Sequence, residues 1–498
     1  MAAEPALKAP AGKSTQAERL IRLSHDFATF FHTPSGEAFG CVQIGGHQEI
    51  WPLKSNSFKF WLRGLLYKDI GKIPYNQALQ DALMQLEGDA HFNGPCHEVF
   101  IRIASHNNSI YIDMANENWE QIKITEEGWQ KVSGNESPVK FKRTLRMSPI
   151  AYPDSKGSVN FLGEILNIEN KAALQLIVGW LIGTIKPDGP FPILLLQGEN
   201  GSSKSTTARL LKNVIDPSSV PIWTIPNSER DLIIAASNCW ILNFDNLSDL
   251  HVWLSDALCR LATGRGFGTR TLHTDDSESL FSACRPIIMN GISDIATRND
   301  LAERCLIVHL PPVTPDRRMT EKDLKMKWEG SIDCIRAALF DAVSAALLNI
   351  NNVHLNTLPR MADFAKWVTA AESALPWDNG TFINEYEKNS ADLVDMAIDA
   401  DPVATAVLDL VKQLNPNEEW EGAASELLEE LKTLVPESIH RRKSWPQRAN
   451  VLSNKLMRAQ SFLRKKGIEI ERSKSGTRKI MIRKISRNNG GRPFYFSF

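Results

Sequence analysis

The stretch "PILLLQGENGSSKSTTARLLKNVI", Pro192 to Ile215, decides how the rest of the chain is read. An apolar run, a glycine-bearing turn and an amphipathic segment follow one another. That order predicts a strand, a loop and a helix. The spacing approaches G-x-x-x-x-G-K-[ST], with Gly198, Lys204 and Ser205 in place and Ser203 where the second glycine belongs. Such a loop aims backbone N–H groups at one point, and the helix dipole adds partial positive charge there, so phosphate binds. The expected nucleotide-binding loop is Gly198, Glu199, Asn200, Gly201, Ser202, Ser203, Lys204, Ser205 and Thr206. Lys204 is expected at the β- and γ-phosphates of ATP, and the Ser205 hydroxyl on Mg²⁺. Gly198 supplies the tight turn off the strand, and Gly201 permits close backbone approach. Ser203 is small and keeps its N–H, so the cradle is expected to survive.

Downstream residues extend the site. "CWILNFDN" is an apolar strand ending in Asp245, placed to hold the Mg²⁺. Asn246 follows where a second acid would supply a general base, so the base is unassigned; Asp245, Glu199 and Asp249 are the candidates. "RPIIMNG" is a strand ending in Asn290, whose amide could orient the attacking water. Arg304, at the start of "RCLIVHL", could reach a neighbouring subunit's γ-phosphate, or pair with Asp300 or Glu303 on its own surface.

The chain has 498 residues, 43% apolar and 23% charged, enough for about three globular domains. Its longest apolar run, Leu174–Gly183, is about half the ~20 residues a bilayer requires. With no signal core and seven scattered cysteines, a reducing cytoplasm is the expected compartment. The net charge of −1 hides an asymmetry: Arg441 to Phe498 carries 17 basic and 2 acidic residues. A basic end on an acidic chain points to a polyanion, most often nucleic acid.

The expected architecture is α/β. Residues 1–14 form a tail. Residues 15–132 form an α+β domain with helices in "STQAERLIRLSHDFATFF", "SNSFKFWLRGLLYKDIG" and "PYNQALQDALMQLEGDA". In the same domain "EVFIRIA" and "SIYIDMA" pair as strands around "SHNN". Residues 133–158 read as a linker. Residues 159–313 form a P-loop core with strands "PILLLQ", "VPIWTI", "CWILNF", "RPIIMN" and "RCLIVHL". Residues 314–415 are helical. Residues 416–498 place a basic helix, with Arg448, Lys455 and Arg458, before a hairpin with Lys474, Arg478 and Lys479. Helices followed by a basic hairpin suggest a DNA-binding winged helix.

The runs from "LLLQGENGSSKSTTARLLK" to "RPIIMNGISDIATRNDLAERCLIVHLPP" resemble superfamily 3 helicases, related to the primase–helicases of phages and poxviruses. The resemblance implies a hexameric ring with ATP and Mg²⁺ between subunits, Lys204 and Ser205 in Walker A and Asp245 in Walker B. It also implies Asn290 as motif C and Arg304 as the arginine finger. It further implies a pore hairpin on single-stranded DNA within "ATGRGFGTRTLHTDD", with Arg265 near its tip and Arg270 and His273 beside it. Two-metal primase chemistry needs clustered carboxylates, and "IYIDMAN" offers Asp113 alone. The function expected from the residues together with the resemblance is a DNA-dependent ATPase and helicase acting in replication of a mobile element or phage. The alternatives are an ATP-switched DNA-binding regulator, or a remodelling or defence NTPase. The expected partners are single- or double-stranded DNA and further copies of the chain, with no membrane.

Overall fold

The computed structural model describes residues 14–153, 156–247, 250–264, 267–270, 278–281, 283–291, 299–415, 418–442, 444–473 and 479–485. Residues 267–270 and 278–281 are described by backbone alone.

Four parallel strands form the central sheet: β1 (Ile193–Gln197), β2 (Leu242–Leu247), β3 (Ile287–Gly291) and β4 (Cys305–His309). They lie in the order β2-β3-β1-β4. A parallel sheet is covered on both faces, which is why these strands read as unbroken apolar runs. Alternate residues still divide between two cores. Leu194, Leu196, Leu306 and Val308 pack on the helices Lys171–Ile185 and Lys204–Ile215. Ile193, Leu195, Met289 and Ile307 pack on the helices Val252–Thr263 and Thr381–Ala400. The helix Ala449–Lys465, from the C-terminal part, joins this second core through Leu452, Leu456 and Phe462.

The segment "VPIWTI", expected as a strand, touches the sheet through a single bridge from Trp223 to Phe244. Prolines at 221 and 226 limit it, since proline offers no N–H to a ladder. The outer edge of β4 is closed differently. The Asn389 side chain accepts from Ile307 N–H at 3.0 Å and donates to Ile307 C=O at 2.7 Å, as a strand would. The helix that carries it is Thr381–Ala400.

In the N-terminal part the three expected helices form as Gln16–Phe27, Asn56–Ile70 and Asn76–Phe92. "ATFFH", read as the end of the first helix, instead opens an antiparallel sheet with Ala38–Ile44 and His47–Pro52. Its β-branched and aromatic residues favour a pleated surface. A four-stranded meander follows, Ile103–His106, Ser109–Asp113, Glu120–Thr125 and Gly128–Ser133. Asn107 and Asn108, with φ of 46° and 57°, make its first turn, the left-handed pair that suits a two-residue hairpin. Val99–Phe100 leaves this sheet and pairs with Lys140–Phe141.

That pairing lies inside the expected linker, and Val139, Phe141 and Ile150 are buried there. The segment is therefore packed into the molecule. Arg143 donates to both oxygens of Asp113 at 2.6 and 3.0 Å and stacks on Trp119. Asp113 is thus the buried partner of an arginine. Deeper still, Arg102 reaches from the meander to the far end of the helix Lys204–Ile215. It donates to Asp216 Oδ1 at 3.3 Å and to the carbonyls of Asp113, Ser148 and Pro217. Asp216 also accepts from Lys212 at 2.7 Å and from the N–H groups of Trp240 and Ile241.

The long helical run after Pro315 breaks at Gly330–Ser331 into Glu321–Glu329 and Ile332–Asn349. Helices Ala362–Ala371 and Pro402–Gln413 form as expected. The C-terminal part opens with a strand the sequence pattern hid, Glu419–Ala423. It pairs with Lys479–Lys484, which pairs in turn with Ile468–Arg472. Its helices are Ala424–Thr433, Glu437–His440 and Ala449–Lys465.

Candidate nucleotide and DNA-binding site

β1 delivers the chain into the loop, and the helix Lys204–Ile215 leaves it. The first N–H groups of a helix lack intrahelical acceptors, so this end has donors to offer. Ser203 has φ +65° and ψ +25°, the left-handed region. This explains the glycine of the usual pattern: the position demands a backbone that costs an ordinary residue about 1–2 kcal/mol. Ser203 adopts it nonetheless. The two glycines have different reasons. A Cβ at Gly198 would meet the Leu310 carbonyl oxygen at 2.4 Å and the Ser202 hydroxyl at 2.6 Å. At Gly201 no protein atom lies within 4 Å, and its φ of +81° is itself a conformation that favours glycine.

Lys204 turns back onto its own loop. Its ammonium donates to the carbonyls of Gly198 and Glu199, each at 2.7 Å. Ser205 donates to Asp245 Oδ1 at 2.9 Å, so residues 40 positions apart meet at one point. Asn290 joins them: its Oδ1 accepts from the Asn246 N–H at 2.8 Å, while its buried Nδ2 has no partner among the described residues. Asn246 itself has φ +58° and sits in a register break between β2 and β3. Asparagine tolerates that left-handed conformation better than most residues, which gives its presence a conformational reason. Its side chain is exposed and supplies no carboxylate.

Glu199 and Asn200 are exposed at the loop's crest, Ser202 is buried beneath it, and Thr206 is half-buried. A cleft of about 530 Å³ opens beside Gly201, Ser203 and Thr206, with Arg317 and Arg318 on its far wall. Asn167 braces this rim by donating to the carbonyls of Ser202 and Pro311. Nothing in the sequence around Asn167 signalled that contact.

Arg304 is 9% exposed, and its Nη1 donates to the Asp300 carbonyl at 2.5 Å and to its carboxylate at 3.4 Å. The on-chain pairing weighed against the finger role is the one adopted here. Of the two acids considered, Asp300 is its partner; Glu303 is held by Arg360 and Lys465.

Among the expected DNA contacts, Arg265, His273, Lys474 and Arg478 lie outside the described residues. Arg270 ends the first strand of a hairpin, Phe267–Arg270 with Glu278–Phe281. On the helix Ala449–Lys465 and its N-cap, Arg448, Lys455 and Arg458 share one face, and none has an acidic partner among the described residues. Lys479 differs: Glu421 holds it at 2.9 Å across the sheet, so this charge is already partnered.

The seven cysteines are all free thiols. Among the described residues no cluster of three or more metal-ligating acids, histidines or cysteines occurs. Among them, too, no helix is long and apolar enough to cross a membrane.

A search of curated proteins finds no match for the chain. Two apo structures of the NrS-1 C-terminal region are similar in outline. One has a TM-score of 0.41 at 12% identity, covering 94% of this chain and 99% of that one. The other has 0.39 at 11% identity, covering 94% and 98%. A family model described as the actinomycete integrative conjugative element replication protein matches residues 159–395. A second, for the C-terminal domain of the same RepA protein, matches residues 403–491. Across these two spans, which make up most of its length, the chain belongs to the replication proteins of actinomycete integrative conjugative elements.

Proposed function

We propose that the chain binds and hydrolyses ATP with Mg²⁺ and uses the cycle to act on DNA as an oligomeric helicase or translocase during replication of its element. The observation that carries this reading is the convergence of Lys204, Ser205, Asp245 and Asn290 around a loop with two left-handed residues at the head of a helix. A hydroxyl and one carboxylate suit Mg²⁺, which takes few protein ligands and completes its shell with phosphate oxygens and water. When bound, the ion would neutralise charge building on the transferred phosphoryl group. The chain's own part is positional. Lys204 leaves the loop carbonyls for the phosphates, and the free Asn290 Nδ2 offers a donor to a water or phosphate oxygen. The cleft beside Thr206 has room for a nucleoside. The face of Arg448, Lys455 and Arg458, in a winged-helix arrangement, would lie along phosphates. In a ring, Arg304 would have to leave Asp300 to reach a neighbour.

Asn246 favours a second reading, an ATP-switched DNA-binding protein without translocation, because no second carboxylate follows Asp245. The test is the ATPase rate with and without single-stranded DNA, on wild type and Lys204→Ala, with particle mass measured alongside. The first reading expects DNA-stimulated turnover that Lys204→Ala abolishes. Strand displacement that persists in Lys204→Ala would refute it; binding of ATP without DNA-stimulated turnover would favour the switch.

A further inference from the structure

The helix Asn56–Ile70 carries an outward stripe that the nucleotide reading does not use. Phe60 and Tyr67 are 66% and 60% exposed, and Arg63 lies between them. Positions i, i+3 and i+7 fall on one helical face. The two rings are set about 10 Å apart along the axis by a rise of about 1.5 Å per residue. That is about three steps of a stacked strand at about 3.4 Å each.

The stripe borders a groove of about 630 Å³ between this helix, the first helix and the turn at Gly45. Phe27, Trp61, Lys68 and Gln43 line it, two aromatic rings with an ammonium and an amide. Gly64 lies in its floor. A glycine inside a helix weakens it, and here no neighbour requires one, because nothing lies within 4 Å of where its Cβ would be. The effect of the missing side chain is an open floor.

Charge adds to shape. Residues 54–72 hold five basic residues and one acidic one. That acid, Asp69, is bound by Arg19, and Lys54 faces Glu87 at 3.4 Å. Lys59, Lys68 and Lys72 have no acidic partner among the described residues. Open aromatic faces beside unpaired ammonium groups suit a flexible polyanion with stackable rings. A duplex hides the faces of its bases, whereas a single strand presents them.

We propose that this groove and its aromatic stripe are a single-stranded DNA site, separate from the basic helix of the C-terminal part. The test uses the full chain without nucleotide, so it does not depend on ATP turnover. Oligothymidylate carrying 5-iodouracil is photocrosslinked and the attached peptide mapped. Affinity is measured by fluorescence anisotropy in an Arg448→Ala/Lys455→Ala/Arg458→Ala background. The expected results are crosslinks within residues 56–72 and binding weakened about tenfold or more by Phe60→Ala/Tyr67→Ala. Gly64→Leu, which fills the floor, should do the same with no fall in unfolding temperature. Crosslinks confined to other segments, or unchanged affinity in both variants, would overturn the proposal. So would a change in particle mass with affinity intact, which would make the face a contact between copies.

Discussion

The helix Lys204–Ile215 has charge at both ends, and the two ends are built on opposite plans. At its C-terminal end Asp216 is buried with Lys212 and Arg102, and hydrogen bonds answer each charge. At its N-terminal end Lys204 rests on two loop carbonyls, Ser203 holds a costly backbone angle and the Asn290 Nδ2 has no partner among the described residues. Saturated polar groups hold a structure in one state. Unsaturated ones leave bonding capacity for something that arrives later. The same helix therefore has an anchor at one end and a site at the other.

Substitutions at the two ends of this helix, and in the C-terminal part, probe this contrast. Removing the anchor should have the largest effect. Asp216→Ala leaves Lys212 and Arg102 buried without their acid, and should cost about 3–5 kcal/mol in denaturant unfolding. The pH dependence follows from the same cluster. Burial alone would raise the Asp216 carboxyl, but Lys212 and Arg102 outweigh it and hold it below the ordinary value. A depressed acid contributes its stability above the unfolded pKa of about 3.9 and loses it as pH falls through the folded value. Acid unfolding of Asp216→Asn should accordingly be shallower than that of wild type below about pH 4.

The site end should respond the other way. Lys204→Ala is expected to leave the unfolding midpoint within about 0.5 kcal/mol of wild type. It should lower ATP turnover about a hundredfold or more, since it removes the charge meant for the phosphates. A stability loss as large as that of Asp216→Ala would erase the distinction between the two ends.

A smaller effect is expected from the C-terminal helix. Arg448→Ala/Lys455→Ala/Arg458→Ala should weaken DNA binding and flatten the slope of log K against log salt by about three. Lys479→Ala should change that slope little, because Glu421 already occupies the lysine. Smallest of all, Ser203→Gly relieves the left-handed serine and should raise stability by about 1 kcal/mol, read as a shift in unfolding midpoint.

The site was more legible than its surroundings, for a physical reason. Lys204, Ser205, Asp245 and Asn290 stand at the ends of apolar strands or at the turn that follows one, so the pattern that marks the strands also marks them. What stayed hidden depends on backbone angles and on neighbours distant in sequence. The left-handed turn at Asn246 has no local signature. "ATFFH" was misread because its apolar residues continue the preceding helical pattern, and only pairing with Ala38–Ile44 decides between helix and strand. The strand Glu419–Ala423 was missed because its burial is slight and it depends on a partner far along the chain.

Asn389 has a consequence for how copies of this protein can meet. An exposed strand edge is an open template on which another chain can extend the sheet. One amide, spending both its donor and its acceptor on Ile307, occupies the middle of that template on β4. If copies gather around DNA as proposed, they are thereby steered away from zipping their sheets together along this edge. Their association would then run through side chains, which can part and re-form. Asn389 would then act as a guard against sheet-to-sheet aggregation along this edge.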